Sequence, residues 1–279
     1  MVLEAIISPL KAEKKPWETF TVGFIYSALA IALSILIFEE QASLVSVFLI
    51  SIAALPLVYA TFKREETKDM VMENEGGILK EHSRAITFLI FLFLGIVFAY
   101  IIAYLVLPQN LIYNLFNLQQ TTITQINSNV TANTALFSKI FLNNIKVLVF
   151  CVVFSLFYGA GAIFILAWNG SVIATAMGNF IREKISSSVG ILGFTNLAAY
   201  LHTFSISLLR YSIHGIPEIA AYFVASLAGG IISVAVIRHD IRTKKFEKII
   251  FDASNLILIA IALLFVSAIL EAYVILAIF

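Results

Sequence analysis

The feature that most constrains this chain is the length of its apolar runs, several of which continue without a charge for a whole membrane thickness. A run of about 20 apolar residues crosses the ~30 Å hydrocarbon core of a bilayer as an α-helix. The composition agrees, because 61% of the residues are hydrophobic and only 13% are charged. Soluble domains are nearer to half apolar and a quarter charged. The sequence therefore predicts an all-α, polytopic transmembrane helix bundle.

Seven segments satisfy the length criterion for a span. We expect spans at about 17–38, 44–62, 85–106, 142–167, 187–209, 217–237 and 254–279. The segment WNGSVIATAMGNFIREKIS, residues 168–186, is apolar at first but too short to span in this arrangement. Three interpretations stay open for it: an amphipathic surface helix, a re-entrant segment, or the first part of a broken fifth helix.

The distribution of basic residues predicts the orientation. With the N terminus in the cytoplasm, all 18 Lys and Arg residues except Lys139, Lys146 and Arg210 lie on the cytoplasmic side, Arg182 and Lys184 included. The positive-inside rule therefore favours N-inside and, with seven crossings, C-outside. We expect a multi-pass protein of the cell membrane, surrounded by lipids. The net charge of +1 gives no reason to expect nucleic acid.

The connections are polar. Residues 63–84 read as a solvated cytoplasmic link of mixed charge, and His82 and His239 are expected to be solvated. Residues 107–139 form the long outer loop in this prediction. It contains Asn129-Val130-Thr131, a sequon that makes Asn129 a candidate for glycosylation.

Small residues recur inside the apolar runs. Their usual meaning in a membrane is close contact between helices, here within one chain or in a homodimer. The candidate packing residues are Gly159, Gly161, Asn169, Gly170, Gly229 and Gly230. Neither a nucleotide-binding loop nor a metalloprotease or serine-hydrolase motif is found, which argues against an enzyme. The single Cys151 provides no disulfide framework.

Polar residues of four predicted spans or their ends fall in the outer leaflet. A charged side chain in the hydrocarbon layer is costly and normally faces the protein interior. Glu271 in the last span therefore needs a cation from another helix, such as Arg210, Lys146 or a protonated histidine. The expected cluster comprises His202, Arg210, His214, Glu218, Glu271, Asn143 and Asn144.

This cluster has several interpretations. In a purely structural one, Pro217 and Glu218 begin a helix, His214 lies on the preceding turn, and Glu271 pairs with Arg210. In the second, the cluster binds a divalent metal such as zinc, with His202, His214, Glu218 and Glu271 as ligands. In the third, it is a proton or ion path in a transporter or channel, since interrupted helices line such sites.

Several motifs occur in a recognisable order. Asn143-Asn144 is followed by Phe157-Tyr158-Gly159-Ala160-Gly161, Asn169-Gly170, His214-Gly215-Ile216-Pro217-Glu218, Gly229-Gly230 and Glu271-Ala272-Tyr273. This order resembles the stage II sporulation protein M family of integral membrane proteins. The resemblance covers roughly residues 85–279.

The resemblance implies two parts and a function. Residues 85–279 are expected to form the family's transmembrane core, and residues 1–84 an N-terminal helical hairpin with a linker, as in archaeal-type members. The bacterial sporulation member acts with cell-wall hydrolases as a recruiting membrane partner. The resemblance therefore implies that this chain organises or stabilises other membrane proteins. A transporter or channel, and a metal-dependent intramembrane enzyme, stay as alternatives.

Overall fold

Every secondary-structure element in the described part of the chain is a helix. The computed structural model describes residues 15–71, 78–127, 133–155, 160–188, 194–238, 243–275 and 277. The helices are α1 (Glu18–Phe38), α2 (Ala42–Val71), α3 (Ile78–Glu81), α4 (Ser83–Val106), α5 (Gln109–Asn127), α6 (Asn133–Ser155), α7 (Ala160–Ser188), α8 (Phe194–Arg238) and α9 (Lys244–Ile269). The last continues as a π-helical turn over Leu270–Ile275. The predicted all-helical fold class is confirmed.

The first two helices form a hairpin around a 3₁₀ turn, Glu39–Gln41. The apolar stretch Glu18–Lys68 is 51 residues long. At ~1.5 Å per residue it is more than twice as long as a bilayer core is thick. It therefore contains two crossings. With the five other stretches long and apolar enough to span, the described residues contain seven candidate crossings.

Contacts between helices give their relative directions. Thr19 of α1 donates a hydrogen bond to the carbonyl of Phe88 near the start of α4, at 3.2 Å, so these helices begin at the same end. Tyr100, near the end of α4, donates to Ser46 at the start of α2, at 2.9 Å. Helix α2 therefore runs opposite to α4. Since α1 and α4 begin at the same end, α2 also runs opposite to α1, as expected for a hairpin.

The middle of the chain differs from the prediction. The expected span 142–167 is wrong, because α6 ends at Ser155 and α7 begins at Ala160. The segment 168–186 is neither a surface helix nor a re-entrant loop, since it lies inside α7, whose stretch Ala162–Arg182 is long and apolar enough to span. The apolar run across the junction has no charge to mark the break, and Gly159 and Gly161 were interpreted as packing residues although glycines also mark helix breaks.

Helix α7 also places Arg182 at an end that the sequence did not predict. The Arg182 guanidinium donates to Gln109 Oε1 and to the Leu107 carbonyl, both at 2.9 Å. Gln109 begins α5 directly beyond the end of α4. We call this end of the bundle the α5 end. The sequence analysis expected residues 107–139 outside and Arg182 inside. Arg182 lies at the same end of the bundle as Leu107 and Gln109, so that prediction is wrong.

The segment expected to be a polar outer loop contains a helix. Helix α5 is amphipathic, and it buries Ile112, Leu115 and Phe116 against the bundle. Gln119, also buried, accepts from Ser43 at 2.6 Å and donates to Ser171 at 3.0 Å. These bonds satisfy a polar side chain that would otherwise be costly to bury. Apolar residues at spacings of three and four were the overlooked signal.

The opposite end of the bundle carries most of the described basic residues. Arg238, at the end of α8, lies against Glu66, near the end of α2, and α9 begins nearby at Lys244. We call this end the basic end. Among the basic residues whose side chains are described, Arg182, Lys139 and Lys146 do not belong to it. This asymmetry is consistent with the basic end facing the cytoplasm, and the absolute orientation stays a prediction.

Candidate functional site

Glu218 lies on α8 in the half of the bundle nearer the α5 end. The hydroxyl of Tyr222, one turn further along, donates to Glu218 Oε1 at 3.0 Å. Tyr222 is completely buried. A hydroxyl that stays buried needs a partner, and the carboxylate provides it. The pair therefore holds the Glu218 carboxylate in a fixed position inside the bundle.

A second carboxylate faces the first. Glu271 belongs to the π-helical turn that ends α9, and it lies close enough to Glu218 for the two charges to interact. Among the described side chains, the charged group that acts on Glu271 is thus another acid. The expectation that Lys146 neutralises Glu271 is wrong, because Lys146 is exposed and has no such contact. Two acids from different helices therefore lie in the same region of the bundle.

Asn143 and Asn144 lie within α6 and do not open it. The helix begins ten residues earlier, at Asn133. Asn144 is buried, with its side chain facing the Glu218 carboxylate. Its amide nitrogen forms no well-aligned hydrogen bond with any described residue. Asn143 points to the outside of the bundle. Asn144 therefore faces the interior of the bundle, and Asn143 faces its exterior.

The stretch His214 to Glu218 is helical, which corrects the prediction that a helix begins at Pro217. Helix α8 is continuous from Phe194 to Arg238, with Pro217 inside it. A proline disturbs the hydrogen bonds of the preceding turn. The Ser267 hydroxyl of α9 donates to the His214 carbonyl there, at 2.8 Å. The carbonyl that Pro217 leaves without its N–H donor is that of Ile213, four residues earlier, so the Ser267 bond holds α9 against the adjacent residue of the same turn. His214 and Glu218 therefore lie four residues apart on one helix, with their register unbroken.

Three predicted residues are not tested. The side chains of His202 and Arg210 lie outside the described part of the structure, although both residues belong to α8, and Asn129 is not described at all. Among the described residues, no group of three or more His, Cys, Asp or Glu side chains is placed to hold a metal ion. The four-ligand metal site, which needs His202, stays a prediction.

The candidate packing glycines lie at helix contacts where they are described. A methyl group on Gly229 would come within 2.6 Å of Ser155 Cβ on α6, and one on Gly230 would meet the ring of Phe62 on α2. At Gly170 it would approach the ring of Phe93 on α4 to 3.2 Å. Asn169 donates to the Ile165 carbonyl of its own helix, at 2.8 Å. Gly159 lies outside the described residues, and Gly161 is described only as part of α7.

The sequence missed a second polar centre, at the basic end. Glu65 is fully buried, and one of its oxygens lies 2.7 Å from His82 Nδ1 while the other pairs with Lys68. His82 is only 1% exposed. The prediction that 63–84 is a solvated link is therefore wrong for Glu65 and His82. Charged runs after an apolar segment are usually solvated, so only the tertiary structure reveals this centre.

A neighbouring pair joins the N-terminal hairpin to the rest of the bundle. Glu66, also fully buried, accepts from Arg238 Nη1 at 2.6 Å. Arg238 donates in addition to Thr67 Oγ1 at 3.1 Å. These contacts connect the end of α2 to the end of α8. The predicted division at residue 84 stays a prediction, and the two parts pack directly against each other.

The comparisons with known proteins give one match. The family model described as Stage II sporulation protein M matches residues 85–274, which is more than half of the chain. The matched region contains α4 to α9 and excludes the N-terminal hairpin. No curated protein and no solved structure matches the chain.

Proposed function

Because this chain belongs to the stage II sporulation protein M family, we propose that it organises or stabilises partner proteins in the membrane. The single observation that carries the proposal is the exposure of α6. Only 17% of its spanning window is buried within the bundle, compared with 56% for α4 and 83% for the spanning part of α8. A helix so poorly covered by its own chain offers a large surface to another membrane protein.

The exposed surface of α6 is large and apolar in its second half. Val149, Phe150, Val153 and Phe154 are all between 43% and 53% exposed. Lipid alone also covers such a surface, so the proposal requires a partner to be found at α6 and not at other lipid-facing helices. Helix α9 provides the comparison, because Leu258 on it is 63% exposed.

The test is site-specific photo-crosslinking in the native membrane. A benzoylphenylalanine at Phe150 is expected to give a discrete protein adduct, and the same group at Leu258 is expected to give lipid adducts. Mass spectrometry of the adducts identifies the partner. Equal adduct patterns at both positions would remove the support for a partner at α6.

A second candidate function rests on the acidic pair. Glu218 and Glu271 face each other inside the bundle, with the Tyr222 hydroxyl and the Asn144 amide beside Glu218. Two carboxylates in a medium of low dielectric favour a bound proton or cation between them. This supports a transporter or channel. Reconstituted protein should then show a proton or cation flux that is lost in Glu271→Gln while the helical circular dichroism is unchanged.

The metal-dependent enzyme is the third candidate, and metal content tests it. Purified protein would contain about one equivalent of a single metal, which would be lost in His214→Ala and in Glu271→Gln. Protein that is well folded and free of metal would exclude this candidate.

A further inference from the structure

The exposed residues of α6 form one continuous stripe. They recur at intervals of three and four residues, which is the spacing of one face of a helix. The same spacing allows a second helix to pack along the whole length. The stripe consists of Lys139, Leu142, Asn143, Lys146, Val149, Phe150, Val153 and Phe154.

Lys146 lies in the middle of this stripe and in the middle of the membrane span. The spanning part of α6 is Leu136–Ser155, so Lys146 is about 15 Å from either end at 1.5 Å per residue. A lysine at the centre of a spanning helix is costly to insert and normally faces a partner or extends to the interface. Its side chain is exposed, and no described residue forms an ion pair or hydrogen bond with it. A carboxylate on a neighbouring protein would lower the cost of placing this cation there.

Other described cations are placed differently. Lys68, Arg238 and Lys244 lie at the basic end, where headgroups and water are within reach. Lys139 lies seven residues before Lys146 on the same stripe and nearer the α5 end. It too has no ionic partner among the described residues. The stripe thus presents two positive charges at the interval of one heptad.

A second copy of this chain does not supply the missing charge from its described residues. Its exposed acids, Glu39, Glu40 and Glu247, lie at helix ends. Its described acids within the α5-end half of the membrane, Glu218 and Glu271, are partly buried and face each other. Glu218 lies at nearly the same depth as Lys146, because Asn144 faces it, but neither Glu218 nor Glu271 is exposed. Since no described acid of a second copy is an exposed carboxylate at this depth, the occupant that we consider is a helix of a different protein.

We propose that the α6 stripe docks a transmembrane helix of another protein that carries two carboxylates about seven residues apart, facing Lys139 and Lys146. Asn143 lies between them and adds a hydrogen-bonding group. Val149, Phe150, Val153 and Phe154 supply the apolar remainder of the contact. This inference rests on the proposed partner-organising function and specifies the chemistry of the partner.

The test uses a synthetic transmembrane peptide in liposomes. The Leu/Ala-rich peptide carries a Glu at its centre and a second Glu seven residues away, and the matched peptide carries Gln at both positions. Energy transfer between the labelled peptide and the labelled full-length protein measures association. We expect the Glu peptide to associate about tenfold more tightly than the Gln peptide, a difference of about 1.4 kcal/mol.

Variants of the protein identify the surface. Lys146→Gln should remove the preference for the Glu peptide, whereas Lys245→Gln, an exposed lysine at the basic end, should keep it. Lys146→Glu should prefer a peptide with Lys at its centre. If Lys146→Glu binds the Lys peptide more tightly than the Glu peptide, residue 146 contacts the peptide directly. A misfolded variant would lose binding and would not prefer the Lys peptide.

Two outcomes would overturn the inference. Equal association of the Glu and Gln peptides would mean that Lys146 extends to lipid phosphates. Energy transfer between copies of the protein alone, if it is lost in Lys146→Gln, would mean that the stripe is a homodimer contact. A discrete partner adduct from the crosslinker at Phe150, with no preference for the Glu peptide, would contradict only this inference. Failure of both experiments would contradict the proposed function as well.

Discussion

At the scale of single residues, several buried carboxylates at the basic end are paired with basic side chains. Glu66 is fully buried, and the Arg238 side chain that it binds is 34% exposed. Burying a charge requires its desolvation, and the attraction of a partner offsets only part of that unfavourable free energy. Such a pair therefore adds little net stability, but the removal of Arg238 leaves the buried Glu66 carboxylate without this partner.

We predict that Arg238→Met destabilises the protein by about 1–3 kcal/mol, less than for a fully buried pair because Arg238 is partly exposed. The double variant Glu66→Gln/Arg238→Met should cost less than the two single changes added together. Unfolding in mixed detergent micelles, followed by circular dichroism, measures both. Lys245→Met should change stability by less than about 0.5 kcal/mol. Additive single effects would show that the two side chains do not interact.

At the scale of elements, glycines determine how closely α1 and α4 approach. A methyl group on Gly23 would meet the carbonyl of Leu92, and one on Gly95 would meet the carbonyl of Phe20 and the amide nitrogen of Phe24. Each helix thus provides a glycine where the backbone of the other passes. In lipid, close packing of this kind is a main source of attraction between helices.

We predict that Gly95→Ala destabilises the protein by about 1–3 kcal/mol, because the backbone atoms it would meet cannot move away without separating the helices. Gly215→Ala is the matched control. It lies inside α8, and nothing is within 4 Å of the added carbon. Alanine is the better helix former, so this change should stabilise by up to about 1 kcal/mol. The same unfolding assay reports both, and equal effects of the two substitutions would refute the close α1–α4 contact.

At the scale of the whole molecule, the contacts define which helix ends share a side of the membrane. Arg182 lies beside Gln109 and the Leu107 carbonyl, whereas Arg238 lies beside Glu66. The crossings α1, α2, α4, α6, α7, the second half of α8, and α9 therefore alternate in direction. The described part of the chain contains seven candidate crossings, the number expected from the sequence. The expected span 187–209 lies mostly on residues whose side chains are not described, and it stays a prediction.

We predict that single cysteines at Asn110 and Arg182 react with a membrane-impermeant maleimide from one side of the membrane, and a cysteine at Lys244 from the other. The background variant is Cys151→Ser, since Cys151 is buried and should contribute little labelling. Labelling in right-side-out vesicles reports the residues on one side of the membrane, and labelling in inverted vesicles reports those on the other. Labelling of the Arg182 and Lys244 positions from the same side would contradict the direction of α7.

The part of the candidate site that could be foreseen follows from the cost of charge in a membrane. Glu218 and Glu271 were single acids in apolar runs, and that alone indicates a buried environment. Their counter-groups could not be foreseen, because which helices are neighbours depends on packing. The sequence favoured Arg210, Lys146 or a protonated histidine for Glu271. Lys146 is not beside it, the Arg210 side chain is not described, and Glu218 lies near enough for its charge to act on Glu271. Glu65 and His82 were overlooked because they lie in a charged run of the usual solvated kind.

The sequence by itself determined the class of the protein, the family to which residues 85–274 belong, and the approximate number of crossings, because apolar length and motif order are local properties. The tertiary structure decided where α6 ends and α7 begins, on which side Arg182 lies, and that α8 continues through Pro217. These depend on contacts between distant helices. The Ser267 hydroxyl, for example, reaches the His214 carbonyl only because α9 packs beside α8.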